Sequence, residues 1–285
     1  MGSGSPGWTR RARPERQPAT RVRASPATTT CIHLGFDSIL RVRFATISLG
    51  RKPMPIKALF VDVGNTLVRE APSRFAIYAE VARSRGVELG ADQMAVVMRR
   101  AHGELPQRHA GAFRYTDPWF EAYIERIFAH HLGIERAALP ELSRGLFARF
   151  SDPATFELFP GALELLDAAR ARGLTLGIVS NWSARLPPLL ERLGVTTRVD
   201  FVLCSAIEEL EKPDPAIFQR ALERAGVAAG EALHAGDDLE KDVLGARRVG
   251  IRAVLVDHAG TRRDLSHPRA GSLPELRDQI ERLSA

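Results

Sequence analysis

Five short, mostly apolar runs lie along the chain without the 3.6-residue spacing of a helix, and each ends at a glycine or a polar residue. The first is Ala58–Val61, which stops at Asp62 with Gly64 close behind. Apolar runs of this length are typical of strands that are buried on both faces of a sheet. The predicted strands cover residues 58–61, 174–179, 201–204, 232–235 and 251–256.

Segments with helix-boundary signals separate these strands. Asp214 is predicted to be an N-cap, Pro215 the first helical residue, and Gly226 the end of the same helix. Strands that alternate with helices at this spacing form a parallel sheet with crossover connections. The other helices are predicted over residues 162–172, 183–193, 240–249 and 273–283. The pattern therefore predicts an α/β fold with a Rossmann-like parallel sheet.

Residues 70–158 differ from this alternation, because apolar positions recur there at helical spacing. Asp117 and Pro118 have the cap and first-turn proline of a helix start, and an aromatic stripe follows them. Helices are predicted over residues 73–85, 91–102, 117–131 and 139–150. The sequence thus predicts an all-helical cap over 70–158, inserted into a core made of 54–69 and 159–285.

Residues 1–53 differ from the rest of the chain in charge. They hold nine arginines and Lys52 against Glu15 and Asp37, a net charge of +8, so the remaining residues carry −2 of the total of +6. The segment is rich in Ser, Thr and Pro and is predicted to be a disordered leader, although its composition also suits an organellar transit peptide. Met54 is predicted to be a natural start, so that a chain beginning there folds with unchanged activity.

Composition excludes several classes of protein. Because the basic charge belongs to the leader, the body gives no electrostatic reason to expect nucleic-acid binding. Cys31 and Cys204 are too few for a disulfide framework, so the reducing cytoplasm is the expected location. No stretch approaches the roughly 18 to 20 apolar residues of a membrane helix, and no membrane partner is expected.

Chemically active side chains follow four of the predicted strands. They are Asp62 after the first strand, Ser180 and Asn181 after the second, Lys212 beyond the third, and Asp237, Asp238 and Asp242 after the fourth. The carboxyl ends of parallel strands meet at one edge of a sheet, where ligands bind in the crevice between the loops. Carboxylates suit a hard cation, while hydroxyl and ammonium groups suit a phosphate.

In order, spacing and strand context, Asp62, Ser180, Lys212 and the pair Asp237 and Asp242 resemble the four motifs of the haloacid dehalogenase superfamily. The resemblance extends over about residues 54–260 and is closest to members with a helical cap after the first motif. It implies that Asp62 is a nucleophile that forms an aspartyl-phosphate and that Lys212 acts as a point charge. It also implies phosphate binding by Thr66 and Ser180, with Asn181 helping to fix the substrate.

The resemblance further implies a Mg²⁺ ion held by Asp62, the backbone carbonyl of Gly64 and Asp237. Asp242 is expected to orient Lys212 or the metal-bound waters rather than bind the ion. Asp238 is either a supporting acid or an acid that favours the start of a helix. The expected protein is a Mg²⁺-dependent phosphohydrolase that acts on a small phosphorylated metabolite.

Gly64 departs from the phosphatase pattern, in which an aspartate two residues after the nucleophile protonates the leaving oxygen. Such help contributes about 10²- to 10⁴-fold in rate, so the sequence predicts a slow enzyme or one that needs good leaving groups. Gly64→Asp is predicted to raise phosphatase activity. A cap residue could substitute for the missing acid, and the histidines of the cap are His102, His109, His130 and His131.

Two other functions remain open at this point. A 2-haloacid dehalogenase displaces halide with an aspartate, needs no metal and tolerates another residue at the Gly64 position, although the GDDLEKD sequence around Asp237 is of a metal-binding type. A degenerate site would instead make the protein a binding or regulatory module. Phosphonate cleavage is disfavoured, because it needs a cap lysine and none lies between Lys57 and Lys212.

Overall fold

The computed structural model of the chain describes residues 54–261 and 266–284, so the predicted leader over 1–53 lies outside the described residues. The strands are β1 Ala58–Val61, β2 Val68–Glu70, β3 Arg108–His109, β4 Ala112–Phe113, β5 Phe156–Leu158, β6 Thr175–Ser180, β7 Phe201–Cys204, β8 Ala232–Gly236, β9 Arg252–Val256 and β10 Arg269–Ala270. The α-helices are α1 Arg74–Arg83, α2 Ala91–Glu104, α3 Asp117–Glu125, α4 Leu139–Arg149, α5 Ala162–Ala171, α6 Leu186–Arg192, α7 Ser205–Glu208, α8 Pro215–Ala225, α9 Gly245–Arg248 and α10 Leu273–Ser284.

Six strands form a single parallel sheet in the order β10-β9-β8-β1-β6-β7. β1 lies at its centre, where Ala58 is in register with Thr175 of β6 and Ala232 of β8. The predicted α/β fold with a Rossmann-like parallel sheet is confirmed. Because β1, β6 and β8 are neighbours and parallel, the residues that follow them meet at one edge of the sheet.

Burial on both faces explains why β1 has an unbroken apolar sequence. Leu59 and Val61 pack into one hydrophobic cluster, and Ala58 and Phe60 pack into another on the opposite face. Helices α5, α6 and α10 contribute to the first cluster, while α8 and α9 contribute to the second. A carboxylate can therefore enter this layer only where the strand ends, which is the position of Asp62.

Helices α1 to α4 enclose a hydrophobic cluster of their own. Trp119 and Phe128 are among its fully buried side chains. β2 and β5 pair antiparallel, with Val68 opposite Leu158, so the chain leaves the parallel sheet and returns to it at one place. The helical insertion is thus attached through two adjacent strands, an arrangement that allows movement about a narrow connection.

Several elements were not predicted from the sequence. They are the β2–β5 and β3–β4 pairs, α7, β10, and π-helical turns at Arg126–His131 and Leu239–Leu244. The first π turn continues α3 and the second leads into α9, so two predicted helices are each divided in two. Strands of two or three residues are too short to carry a periodic pattern. Within the described part of the chain, no helix is long and apolar enough to cross a membrane.

Candidate active site

Asp62 is held at the end of β1 by three side chains. Its carboxylate accepts hydrogen bonds from Ser180 Oγ at 3.0 Å, Lys212 Nζ at 2.6 Å and Thr66 Oγ1 at 3.3 Å. All four residues are buried. A buried carboxylate needs such partners to remain ionised, and an ionised carboxylate is the reactive form of a nucleophile.

Lys212 lies between two carboxylates and is itself almost fully buried. Its Nζ is 2.6 Å from Asp62 Oδ1 and 2.5 Å from Asp242 Oδ1. Burial alone would lower the pKa of Lys212, but Asp242 and Asp62 outweigh it and raise that pKa above its usual value. Asn181 fixes the lysine backbone, since its amide Nδ2 donates to the Lys212 carbonyl and its Oδ1 accepts from the Lys212 N–H. The ammonium is therefore charged and rigidly positioned.

Both oxygens of Asp242 are occupied. Oδ1 accepts from Lys212 and from His234 Nε2 at 2.9 Å, and Oδ2 accepts from the Asp238 N–H at 3.0 Å. Burial would raise the pKa of Asp242, but Lys212 and His234 hold it below its ordinary value. This close packing needs a glycine at position 236, because a Cβ there would lie 2.2 Å from Asp242 Cγ.

Asp237 belongs to a group of three acids that could hold a metal ion. One carboxylate oxygen from each of Asp62, Asp237 and Asp242 lies within 4.8 Å of the others, a spacing that can hold a metal. Burial, followed by the negative charges of Asp62 and Asp242, raises the pKa of Asp237 to about 7. Three carboxylates lie around the ammonium of Lys212, so a divalent cation would balance the remaining negative charge. The donor set consists of oxygens, which suits Mg²⁺.

Asp238 has a local structural contact. Its Oδ1 accepts hydrogen bonds from the N–H groups of Glu240 and Lys241, and its Oδ2 is 3.0 Å from Lys241 Nζ. These are the contacts of a helix N-cap. Of the two roles expected for Asp238, these contacts match the acid that favours the start of a helix.

The aromatic ring of Trp182 lies beside Gly64. A Cβ added to Gly64 would be 3.2 Å from Cζ3 of Trp182, a contact that the ring must relieve by moving a few tenths of an ångström. Trp182 is half-buried and packs against Phe156, with ring centroids 5.7 Å apart. The space beside Gly64 is thus taken by the residue that follows Asn181.

A cavity of about 1040 Å³ opens in front of these groups and extends between the sheet edge and the helical insertion. Besides Asp62, Ser180, Lys212 and Asp237, its lining includes aromatic residues of the insertion. Of the four histidines of the helical insertion, all of which are in the described ranges, only His102 lines it. Burial, with Arg114 and Lys241 nearby, lowers the pKa of His102 to about 4, so this imidazole is uncharged at neutral pH.

Polar contacts join the helical insertion to the core around the cavity. Arg185, which precedes α6, has its guanidinium 2.7 Å from Asp117 and 4.2 Å from the centre of the Phe147 ring. A second contact involves Glu211, the residue directly before Lys212 in the chain. The side-chain amide of Gln107 donates a hydrogen bond to the Glu211 carboxylate at 2.9 Å. The insertion therefore covers the strand ends in this conformation.

The structure brings most of the predicted site residues together. Asp62, Thr66, Ser180, Lys212, Asp237 and Asp242 form one cluster, with Gly64 on the cavity wall. Asn181 contacts the Lys212 backbone, and its predicted contact with substrate stays a prediction. Sequence reasoning missed His234, Trp182 and Tyr115. Their positions are the local signal that could have pointed to them. His234 lies in a predicted strand, Trp182 lies just after one, and Tyr115 lies just before a predicted helix.

Comparison with known proteins agrees with this geometry. A family model described as haloacid dehalogenase-like hydrolase matches residues 56–250. Haloacid dehalogenase-like hydrolase domain-containing protein 3 of Danio rerio is 31% identical over 235 residues, which cover 81% of this chain and 97% of that protein. The chain therefore belongs to the haloacid dehalogenase-like hydrolase family, and the predicted hydrolase class is confirmed.

Two further relatives carry more specific names. A phosphoserine phosphatase of Thermus thermophilus is 34% identical over 228 residues, covering 71% of this chain and 89% of that protein. The crystal structure of a 2-haloacid dehalogenase from Pseudomonas syringae is 26% identical and matches with a TM-score of 0.58, covering 80% of this chain and 99% of the other. The chain is thus similar both to a protein named as a phosphatase and to one named as a dehalogenase.

Proposed function

We propose that this hydrolase is a Mg²⁺-dependent phosphohydrolase that acts on a small phosphorylated metabolite. The observation that carries the proposal is the acidic cluster of Asp62, Asp237 and Asp242, which has one oxygen from each residue within 4.8 Å of the others and lies beside Lys212. A halide-displacing enzyme has no use for this excess of negative charge. The name of the Thermus relative is a second, independent support.

Asp62 is proposed to be the nucleophile. One carboxylate oxygen attacks phosphorus, forms the aspartyl-phosphate, and the bond from phosphorus to the leaving oxygen breaks. Lys212 pairs with the Asp62 carboxylate at 2.6 Å and attracts the phosphate dianion. The hydroxyls of Thr66 and Ser180, which now donate to Asp62, are expected to turn towards the phosphoryl oxygens when substrate binds.

Asp62, the carbonyl of Gly64 and Asp237 are proposed to hold the metal. When bound, Mg²⁺ screens the repulsion between carboxylate and phosphate and polarises the phosphoryl group. Asp242 is proposed to act through Lys212, because both of its oxygens are already hydrogen-bonded. Asp238 supports the loop as a helix N-cap.

Residues 70–158 are proposed to act as a cap over the core formed by 54–69 and 159–285. A closed cap excludes water from Asp62 and selects the substrate by the shape of the cavity. The cavity volume of about 1040 Å³ suits a small metabolite rather than a polymer. We expect Arg185 to help hold the closed form, because it bridges the core and Asp117.

A 2-haloacid dehalogenase is the second candidate, and the Pseudomonas structure favours it. Asp62, Ser180 and Lys212 would also suit halide displacement. The decisive difference is the metal, which a carboxylate needs to approach a phosphate dianion but does not need to approach a neutral carbon–halogen bond. A dehalogenase should therefore work equally well without Mg²⁺.

The test is a comparison of turnover on phosphate esters, acyl phosphates and 2-haloacids, each with Mg²⁺ and with EDTA. We expect Mg²⁺-dependent phosphate release that Asp62→Asn lowers by at least about 10³-fold, while Asp278→Asn on the surface of α10 has no effect. Metal-independent halide release would favour the dehalogenase. The absence of any turnover would favour a binding module, and activity that survives Asp62→Asn would exclude Asp62 as the nucleophile.

A further inference from the structure

The proposed phosphohydrolase has Gly64 where an aspartate would protonate the leaving group, and the inference drawn below rests on that proposed function. Gly64 carries no acid, and Trp182 occupies the adjoining space, 3.2 Å from a Cβ built on Gly64. An alkoxide or phenoxide leaving group needs a proton from another residue. That residue must line the cavity in front of Asp62.

Tyr115 is a cavity residue contributed by the helical insertion. It lies between β4 and α3 and lines the same cavity as Asp62. Its half-buried ring packs against Trp119 and Phe120, with centroids 6.2 Å away in both cases. The hydroxyl of Tyr115 is therefore carried on a ring whose body is held by neighbouring aromatics.

The backbone of Tyr115 is in a conformation that an aromatic residue rarely adopts. Its φ is +71°, in the left-handed region, and such a conformation costs of order 1–3 kcal/mol. Thr116 enforces it, since both the N–H and the hydroxyl of Thr116 donate to the Phe113 carbonyl, at 3.1 and 2.6 Å. Strain that the surroundings maintain in this way concentrates at functional sites.

The surroundings of Tyr115 keep its phenol protonated. Burial, followed by the negative charge of Glu211, raises the pKa of Tyr115, so the phenol is protonated at neutral pH. Lys241, Arg114 and the Asn181 side chain act in the opposite direction and offset part of this rise in the pKa. These three groups therefore reduce the cost of a transient phenolate, while the pKa of Tyr115 stays raised overall.

Three other titratable side chains of the cavity, His102, Tyr123 and His258, are less suited to donate a proton. His102 is uncharged at neutral pH, as described above. The hydroxyl of Tyr123 already donates to the Met98 carbonyl at 3.0 Å. His258 is committed in the same way, because its Nε2 bonds to the Thr66 carbonyl at 3.0 Å.

We propose that Tyr115 is the general acid for the leaving group and replaces the carboxylate that Gly64 lacks. As the bond between Asp62 and phosphorus forms, the bond from phosphorus to the leaving oxygen breaks and the Tyr115 proton passes to that oxygen. The product leaves as a neutral alcohol. The phenolate then takes a proton from the water that attacks phosphorus, which restores the phenol and releases phosphate from Asp62.

The test uses leaving groups of different basicity on the full-length protein with Mg²⁺. p-Nitrophenolate leaves without a proton, whereas the more basic phenolate of phenyl phosphate benefits from one. We expect Tyr115→Phe to change kcat on p-nitrophenyl phosphate by less than about threefold and to lower kcat on phenyl phosphate by about tenfold or more. Tyr123→Phe is the matched control, because it removes a hydroxyl that is bonded elsewhere, and it should leave the ratio of the two rates unchanged.

The outcomes separate this inference from the proposed function. Suppose that Asp62→Asn abolishes turnover, and that Tyr115→Phe lowers the rates on both esters by the same factor or lowers neither rate. The proposed function then stands, and Tyr115 is not the acid. If the wild-type protein hydrolyses neither ester, or if activity survives Asp62→Asn, both proposals fail. Equal stabilisation of wild type and Tyr115→Phe by Mg²⁺ in thermal unfolding would show that the substitution leaves the metal site intact.

Discussion

Gly236 and Asp242 illustrate how closely side chains approach one another in this site. The hydrogen of Gly236 leaves just enough space for the Asp242 carboxylate, which in turn bonds Lys212 and His234. His234 is fully buried and connects this network to β8. The positions of Lys212 and Asp62 thus depend on the absence of a side chain at Gly236.

Gly236→Ala is expected to disrupt this network. The new Cβ would lie 2.2 Å from Asp242 Cγ, so the carboxylate must move away from Lys212. We expect a loss of stability of about 1–3 kcal/mol and a fall in kcat of at least about tenfold, equivalent to 1.4 kcal/mol in the barrier. Urea unfolding and steady-state kinetics measure the two effects.

Gly103→Ala is the matched control for that substitution. Gly103 lies within α2 and an added Cβ meets nothing within 4 Å. Because alanine favours a helix over glycine by about 1 kcal/mol, this variant should be slightly more stable and equally active. A Gly236→Ala variant with wild-type kinetics would contradict the importance of the Asp242 contact.

Asp237 should make Mg²⁺ binding depend on pH. Its pKa of about 7 lies above the ordinary value of 3.8, so the metal-free carboxyl is protonated below pH 7 and must lose that proton to bind a cation. The apparent affinity for Mg²⁺ should rise by about tenfold per pH unit below pH 7 and then level off. Calorimetric titration from pH 5.5 to 8 measures this.

The same shift determines how metal-free stability changes with pH. A raised pKa in the folded state favours folding most at pH values below 3.8, and this contribution is lost as the pH rises through about 7. Asp237→Asn should therefore be more stable than wild type in EDTA at pH 8 but should gain no stability from Mg²⁺. Stabilisation of Asp237→Asn by Mg²⁺ equal to that of wild type would exclude Asp237 as a ligand.

The structure adds a steric condition to the activity gain predicted for Gly64→Asp. The substitution is expected to supply a second acid and raise kcat on phenyl phosphate, but its Cβ would crowd the Trp182 ring at 3.2 Å. We therefore expect a larger gain when Trp182→Leu accompanies it, because the added carboxylate can then adopt its preferred rotamer. Kinetics of the two single variants and the double variant measure this, and equal rates in all of them would contradict it.

At the scale of elements, the most informative contact joins the β3–β4 region of the cap to the loop before Lys212. Glu211 is buried, accepts from Gln107 and lies 3.3 Å from Arg114. One Glu211 oxygen and the Arg114 Nε have no hydrogen-bond partner among the described residues. The helical insertion therefore contacts the loop before Lys212 through a buried and incompletely satisfied ion pair.

Arg114→Met should leave Glu211 buried without its cation. An unpaired buried charge is unfavourable. The hydrogen bond from Gln107 to Glu211 remains and limits the effect. We therefore expect the free energy of unfolding to fall by about 1–3 kcal/mol. Adding Glu211→Gln to Arg114→Met should restore part of this loss. A double-mutant cycle in urea measures the coupling, and simple additivity of the two substitutions would contradict it.

Element limits were predictable where a residue pattern and a boundary signal coincide. β1, β7 and α8 have the predicted limits, and α8 begins at Pro215 after the N-cap Asp214, as expected. The π-helical turns were not predictable, because a single inserted residue in a helix leaves almost no trace in a local hydrophobic pattern. The β2–β5 pair joins segments far apart in sequence and depends on tertiary structure.

At the scale of the whole molecule, activity is expected to need only the residues from Met54 onward. The family match begins at residue 56, and Arg252 bonds the Met54 carbonyl at 2.8 Å. A chain that begins at Met54 should therefore remain soluble, with unchanged kcat and thermal stability. Purification and kinetics of that shortened chain measure this, and aggregation on removal of residues 1–53 would contradict it.

The α/β fold, the family and the residue types at the strand ends could be predicted from the amino-acid sequence. Periodicity, caps and strand-end residues are local properties, and the parallel order of strands then gathers Asp62, Ser180, Lys212 and Asp237 at one edge. The hydrogen bonds that occupy individual carboxylate oxygens, such as those of Asp242, are visible only in the folded structure. The Asp62–Lys212 pair spans 150 residues of sequence, and the approach of Trp182 to Gly64 depends on side-chain packing, which no local pattern encodes.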